Sequence, residues 1–372
     1  MRILFLGDYS NLHACLAQEL RSHRHQITVV SDGGRYMNTA NDILLYRRPG
    51  TLGKVRYAAE LLYRLPAFHG YDVVQMINPH FLALRPEPLR KIFNYLRKNN
   101  GSVFLTLAGN DYHFCNACVE SSKGSQIFKF SEFFVGDKKT EFECQTKHAE
   151  AWTTPEMREY GTFIYDNIDG AISVLPEYDI ASRPYLGKRL AFTNIPVDIS
   201  YLPFSPLDIS KPINLFIGMR SGMEIQKGTG ILLDICRELQ AEMPDRCKVT
   251  RVQDISLMEY IQRMKESHIV LDQLYSYSPG TNGFQAMALG KVAATGAQPE
   301  FYEYIGERDS KPIIPLSPLL GKDEWKERIR DLILNPERLT GMSEEGRRIV
   351  EQHNDVSIVA QKVENHWHKI LG

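Results

Sequence analysis

The sequence has almost no excess of charge of either sign. Its 44 Lys and Arg face 45 Asp and Glu, for a formal net charge of −1. No overall field would draw it to nucleic acid or to an acidic surface. Cysteine is scarce: six in 372 residues make no disulfide scaffold and fit a reducing, cytoplasmic setting. No run approaches the ~20 apolar residues of a membrane span. The apolar start, 1–7, has no cleavage site after it and reads as a buried strand instead of a signal peptide. No self-similarity recurs at a period of about 20–50 residues, which excludes solenoids. The first strand-to-helix corner, Gly7 to His13, begins with its only glycine. A dinucleotide fingerprint needs G-x-G-x-x-G there, so its absence speaks against NAD and FAD at that corner but not against an open α/β sheet.

What is present is alternation. At 372 residues the chain exceeds the ~250–300 at which one core stops growing, so two domains are expected. The first part reads strand 2–7, helix 11–22, strand 26–31, helix 52–65, strand 72–77, helix 87–98 and strand 103–107. Strands separated by helices predict a parallel, doubly wound sheet. After Gly109, Asn110 and Asp111 the pattern breaks, and 112–154 reads as an irregular insertion or lid. It holds Cys115, Cys118, Cys144 and His148, a set compatible with tetrahedral zinc or with buried thiols. Helix 155–167 and strands 170–175 and 191–193 complete a domain 1–199. Pro203, Pro206 and Pro212 mark the linker. A second domain, 200–350, follows: strand 213–217, helix 229–239, strand 248–252, helix 256–265, strand 269–274, helix 281–289 and strand 292–295. Residues 351–372, with an amphipathic helix from Val356, are expected to pack back on the first domain.

Two corners of the second domain have the chemistry of an anion site. Strand 213–217 leads through Gly218 and Arg220 to Lys227, Gly228 and a helix. Strand 269–274 leads through Gly280 to a helix that starts at Thr281, Asn282 and Gly283. Each corner sets unpaired N–H groups and the positive end of a helix dipole at a strand's carboxyl end. Arg220 and Lys227 add two cations. Either corner alone is also what an ordinary strand–loop–helix unit with solvated cations looks like. Two of them at the ligand-binding edge of one sheet favour a phosphate.

The segments FIGMRSGMEIQKG and SPGTNGFQAMALGKVAATG resemble the nucleotide-binding half of GT-B glycosyltransferases, most closely the large retaining group (family 4-like) with sucrose synthase-like and mannosyltransferase members. The resemblance implies an α/β fold of two Rossmann-like doubly wound domains facing across a cleft. It implies a nucleotide diphosphate sugar as donor substrate, held by the C-terminal domain, with no required cofactor. Arg220 and Lys227 match the cations on the donor diphosphate, and Gly280 matches the glycine of the E-x7-E loop. Asn194 to Asp198 resembles the interdomain N-x-P-V-D. Three positions depart from the pattern. Tyr277 and Gln285 stand where the family has its two glutamates, although Gln285 keeps an acceptor oxygen for a ribose hydroxyl. Ala108 stands where it has a donor-contacting histidine, while Asp111 of that motif remains. The chain has no Asp-x-Asp triplet, in keeping with metal-independent chemistry.

On the acceptor side, Asp8, Asn11, His13, Asn78 and His80 follow strands of the first domain, as do Asp111 and His113. A His or Asp there suits the positioning and deprotonation of a hydroxyl, and Asn and Asp equally suit turns and caps. The basic amphipathic stretch 84–98, with Arg85, Arg90, Lys91, Arg97 and Lys98, fits either a peripheral contact with the inner face of a membrane or a sheet-covering helix. The expected activity is sugar transfer to a saccharide or lipid-linked saccharide acceptor, with retention, in surface polysaccharide synthesis, and with no nucleic-acid partner. The alternatives are an inactive relative that binds a nucleotide or glycan, and a sugar-nucleotide 2-epimerase.

Overall fold

The computed structural model describes residues 1–34, 38–122, 127–128 and 149–372. The chain divides into two compact units. The first is Met1–Ala117, Glu150–Pro196 and Val356–Gly372; the second is Cys118–Ala149 and Val197–Asp355.

From the N terminus the order is β1 (Arg2–Leu6), α1 (Leu12–Ser22), β2 (Gln26–Ser31), β3 (Ile43–Leu44), α2 (Gly50–Arg64), β4 (Val73–Met76), α3 (Pro86–Asn99), β5 (Ser102–Leu107), α4 (Tyr112–Ser122), α5 (Pro155–Asn167), β6 (Gly170–Ser173), α6 (Pro176–Leu186) and β7 (Leu190–Phe192). The seven strands form one parallel sheet, β3-β2-β1-β4-β5-β6-β7. Its central strands are mostly apolar because helices cover both faces; Ile3 to Leu6 are wholly buried, and the polar Gln75 and Thr106 are buried with them. The strand order reverses between β1 and β4, so their carboxyl ends flank a switch point.

The second unit runs β8 (Ile213–Met219), α7 (Glu224–Lys227), α8 (Thr229–Glu242), β9 (Cys247–Gln253), α9 (Leu257–Lys265), β10 (Ile269–Leu271), α10 (Thr281–Ala288), β11 (Val292–Thr295), α11 (Pro299–Ile305), β12 (Ile314–Pro315), α12 (Lys322–Leu334) and α13 (Glu337–Ile349). Its parallel sheet is ordered β12-β11-β10-β8-β9. The reversal here falls between β8 and β10, the strands that carry the two candidate corners.

The last helix, α14 (Val356–Leu371), belongs to the first unit. Val359, Val363 and Trp367 pack with Ile3, Phe5 and Phe104. A buried polar chain extends inward from it. Trp367 Nε1 donates to Gln75 Oε1, and Gln75 Nε2 donates to Thr106 Oγ1, each at 2.9 Å. Thr106 Oγ1 meets His13 Nε2 at 2.9 Å, and His13 Nδ1 donates to Gly7 O at 2.8 Å. With Nδ1 protonated, Nε2 must accept from the threonine hydroxyl, so every polar group in the chain is satisfied.

The structure corrects two expectations and decides between two readings of a third stretch. Residues 112–122 are helical, where an irregular stretch was expected. Asp111 caps this helix, its Oδ1 accepting from Phe114 N at 2.8 Å. Most of the remaining expected insertion lies outside the described residues. Helix α6 was not anticipated, because Pro176 and Pro184 both fall within it. Helix α3 does not present a free amphipathic face. Leu89, Ile92, Phe93 and Leu96 are buried in the core. Arg90 pairs with Glu159, Lys91 with Glu87 and Arg97 with Asp169. It is a sheet-covering helix.

Candidate functional site

In the second unit the two corners meet. The carbonyl of Lys227 accepts from Leu274 N at 2.9 Å, which ties the loop after β8 to the loop after β10. Gly228 adopts φ 69° directly against Leu274; a Cβ there would come within 2.8 Å of Leu274 Cδ1. Lys227 Nζ consequently lies 3.7 Å from Asp272 Oδ1. Asp272 is buried, while the Lys227 side chain is 37% exposed. A separation of 3.7 Å exceeds that of a charge-assisted hydrogen bond, so the ammonium keeps its donors for a ligand.

Arg220, exposed at the end of β8, makes no ion pair among the described residues. Asp254 holds the same loop, accepting from Ser221 N at 3.1 Å and from the Ser221 hydroxyl. Those hydrogen bonds, with Arg220 nearby, keep the Asp254 carboxyl below its ordinary range. Neither α8 nor α10 has a side-chain N-cap; glycines 228 and 280 occupy the cap positions. Their first-turn amides are left to a ligand or solvent. Thr229 Oγ1 is buried without a hydrogen-bond partner among the described residues.

The glycines have different reasons. Gly218 leaves room for Tyr260, whose hydroxyl oxygen would lie 2.1 Å from an added Cβ. Tyr260 in turn donates to Asn282 Oδ1 at 2.8 Å, fixing the start of α10. Gly283 packs against Pro279 and Thr295. Gly280 is less crowded, with Asp272 Oδ2 and Gln273 Nε2 each 3.4 Å from an added Cβ. Thr281 and Gln285 are partly exposed on α10. Tyr277 is buried, with its ring 5.2 Å from that of Phe128. Asp272, Tyr260 and Asp254 were not singled out from sequence. Asp272 had a signal, being a carboxylate immediately after a buried strand.

In the first unit the strand ends gather a second set. Asn78 Nδ2 donates to the carbonyls of Ala108 and Asn110, and its Oδ1 accepts from His80 N. It is a staple between the loops after β4 and β5. Asp111 accepts from Phe114 N through Oδ1 and from Tyr165 OH through Oδ2, both at 2.8 Å. His80 stands edge-on to Trp152 and Tyr160, at 4.9 and 5.2 Å. Both its ring nitrogens are buried without a partner among the described residues. Burial lowers its pKa, against the pull of Asp111. His113 stacks on Tyr165 at 3.9 Å, and burial lowers its pKa likewise. His13 has no free ring nitrogen and burial pulls its pKa down to about 3, which removes it from the acceptor-side set. Asn11 adopts φ 67° at the start of α1 without a side-chain cap bond. Cys115 and Cys118 are buried. Cys144 and His148 lie outside the described residues, and among those described no three metal-type ligands assemble.

Asp8 is buried, with Oδ1 accepting from His13 N at 2.9 Å and Oδ2 lacking a partner among the described residues. Desolvation raises its pKa from 3.8 to about 6. A carboxyl whose folded pKa is raised binds its proton more tightly in the native state, so stability falls as pH rises from 3.8 through 6. The full penalty above that window is roughly 3 kcal/mol. Asp8→Asn is therefore expected to raise the melting temperature at about pH 8 and to change it little at about pH 4. Equal effects at both pH values in thermal denaturation would contradict this.

No protein-family model matches the chain, and no curated protein is similar to it in sequence. Solved structures are similar over its full length. HepE from Anabaena, in complex with UDP-glucose, is 15% identical with a TM-score of 0.59, covering 99% of this chain and 100% of that one. Sucrose-phosphate synthase from Thermosynechococcus elongatus is 13% identical with a TM-score of 0.60, covering 100% and 99%. MnaA from S. aureus, solved with UDP, is 14% identical with a TM-score of 0.56, covering 100% and 96%. Likeness at these identities establishes the fold: the chain has the GT-B fold of two Rossmann-like α/β units.

Proposed function

We propose that the protein is a glycosyltransferase that moves a sugar from a nucleotide diphosphate sugar to a saccharide-containing acceptor. One observation supports this reading. Lys227 and the uncapped first turns of α8 and α10 lie at the carboxyl ends of β8 and β10, the switch point of the second sheet, and Arg220 directly follows β8. That is where an open α/β sheet takes a ligand, and these are groups that take a diphosphate.

In the reaction the bond from the anomeric carbon to the diphosphate oxygen breaks, and a bond to the acceptor oxygen forms. Negative charge grows on the leaving diphosphate. In this reading Lys227, Arg220 and the amides at 281–283 stabilise it. The acceptor hydroxyl loses a proton. Both Asp111 oxygens are engaged, which makes Asp111 a cap and a positioning residue. His80, whose pKa burial lowers and whose ring nitrogens have no partner among the described residues, is the better acceptor-side base. Retention and metal independence are what the family resemblance carries to this chain.

A second reading draws on the likeness to the epimerase MnaA: a sugar-nucleotide 2-epimerase uses the same diphosphate site. The departures at Tyr277 and Ala108 favour a third, binding without transfer. Incubation with a panel of UDP- and GDP-sugars and mixed saccharide acceptors, followed by mass spectrometry, separates the three. Transfer or donor hydrolysis supports the first reading. An epimerised nucleotide sugar supports the second, and bound but unchanged nucleotide the third.

A further inference from the structure

Helix α2 has two apolar faces. Gly53, Tyr57 and Leu61 are buried in the core of the first unit. On the opposite side Leu52, Val55, Leu62 and Tyr63 are 76%, 61%, 69% and 80% exposed. At about 100° per residue these four fall with Ala59 into one continuous stripe. A stripe on a helix that has already buried its other face serves no fold.

Its surroundings are basic. Arg47, Arg48, Lys54, Arg56 and Arg64 accompany the helix, against one acid, Glu60. None of the five makes an ion pair among the described residues. Arg56 borders the stripe beside Tyr63, and the exposed Lys54 lies about 80° round the helix from Leu62. The chain as a whole is neutral, so this charge is local. A second copy meeting this face symmetrically would set its cations against cations. An anionic lipid surface instead complements both features, taking the apolar side chains below the headgroups and the cations among them.

We propose that α2 is a membrane-docking helix, which lies in the headgroup region of an anionic bilayer through Leu52, Val55, Leu62 and Tyr63. The stretch 84–98, for which the sequence allowed such a contact, is instead the sheet-covering helix α3. α2 is also tied to the loop after β4. Tyr57 OH accepts from Ala83 N at 3.1 Å, and Arg47 Nη1 donates to Ala83 O at 2.9 Å. That loop carries Asn78 and His80, so docking brings the strand ends assigned to the acceptor close to the lipid.

The test is flotation of the full chain with vesicles of phosphatidylcholine, alone or mixed with phosphatidylglycerol, without nucleotide. It is therefore independent of the proposed activity. Binding should be at least roughly tenfold greater on the anionic vesicles and weaken with salt. Leu52→Ser with Leu62→Ser, and separately Lys54→Glu with Arg56→Glu, should each reduce it roughly tenfold or more. Lys91→Glu on α3 should leave it unchanged. All five altered side chains are exposed, so melting temperatures should hold. Equal binding to both vesicle types, no binding, or unchanged binding by both double variants would overturn the proposal. So would a dimer of the wild type that Leu52→Ser with Leu62→Ser dissociates.

Discussion

Trp367→Ala is expected to destabilise the protein by about 3–5 kcal/mol. The indole is fully buried between Phe5 and Phe104, at 6.3 and 6.4 Å between ring centroids. Its loss opens a cavity under α14 and removes the donor to Gln75 Oε1. Trp367→Phe separates the two effects. It fills most of the space but leaves the glutamine oxygen unpaired, at about 1–3 kcal/mol. Urea denaturation checks both. Two units need not unfold together; where two transitions separate, the shift belongs to that of the first unit. A loss under about 1 kcal/mol for Trp367→Ala would show that the helix is not fastened as described.

Lys227→Ala is expected to weaken nucleoside diphosphate binding by roughly 10- to 100-fold, the range for losing a charge-assisted contact to phosphate. Two effects act in the same direction. The ammonium is lost, and the buried carboxylate of Asp272, 3.7 Å away, then faces the phosphates without a counter-charge. Lys227→Arg should keep most of the affinity, and Asp272→Asn should not lower it. The stability cost is small, below about 1 kcal/mol, because the lysine is over a third exposed and its pairing is screened. Isothermal titration calorimetry with UDP and GDP checks this series. Affinity retained by Lys227→Ala would move the phosphates elsewhere.

The sheet was legible because its strands are short apolar runs between helices of regular period. Ile3 to Leu6 and Val292 to Thr295 declare themselves as buried. Helices α4 and α6 were not legible. One starts at an aspartate read as part of a broken loop, and the other contains prolines at residues 176 and 184. At the site, the sequence put both corners at the carboxyl edge of one sheet; the proximity of Lys227 to the loop after β10 comes from the strand order, which sets β10 beside β8. The roles of individual glycines did not follow. Gly218 looks like a residue cleared for a ligand, yet the cleared space belongs to Tyr260, 42 positions away in sequence. His13 likewise looks like a loop histidine, and only the structure shows Thr106 and Gly7 occupying both nitrogens. The basic stretch 84–98 and α2 have similar compositions; which of them hides its apolar face is decided by packing.

Hydrogen–deuterium exchange with and without saturating UDP or GDP tests most directly whether the loops after β8 and β10 close on one diphosphate. The account predicts slowed exchange at both 220–229 and 280–285 with at least one nucleotide, and its loss in Lys227→Ala. Protection at neither loop with either nucleotide, or at one loop alone, would contradict it.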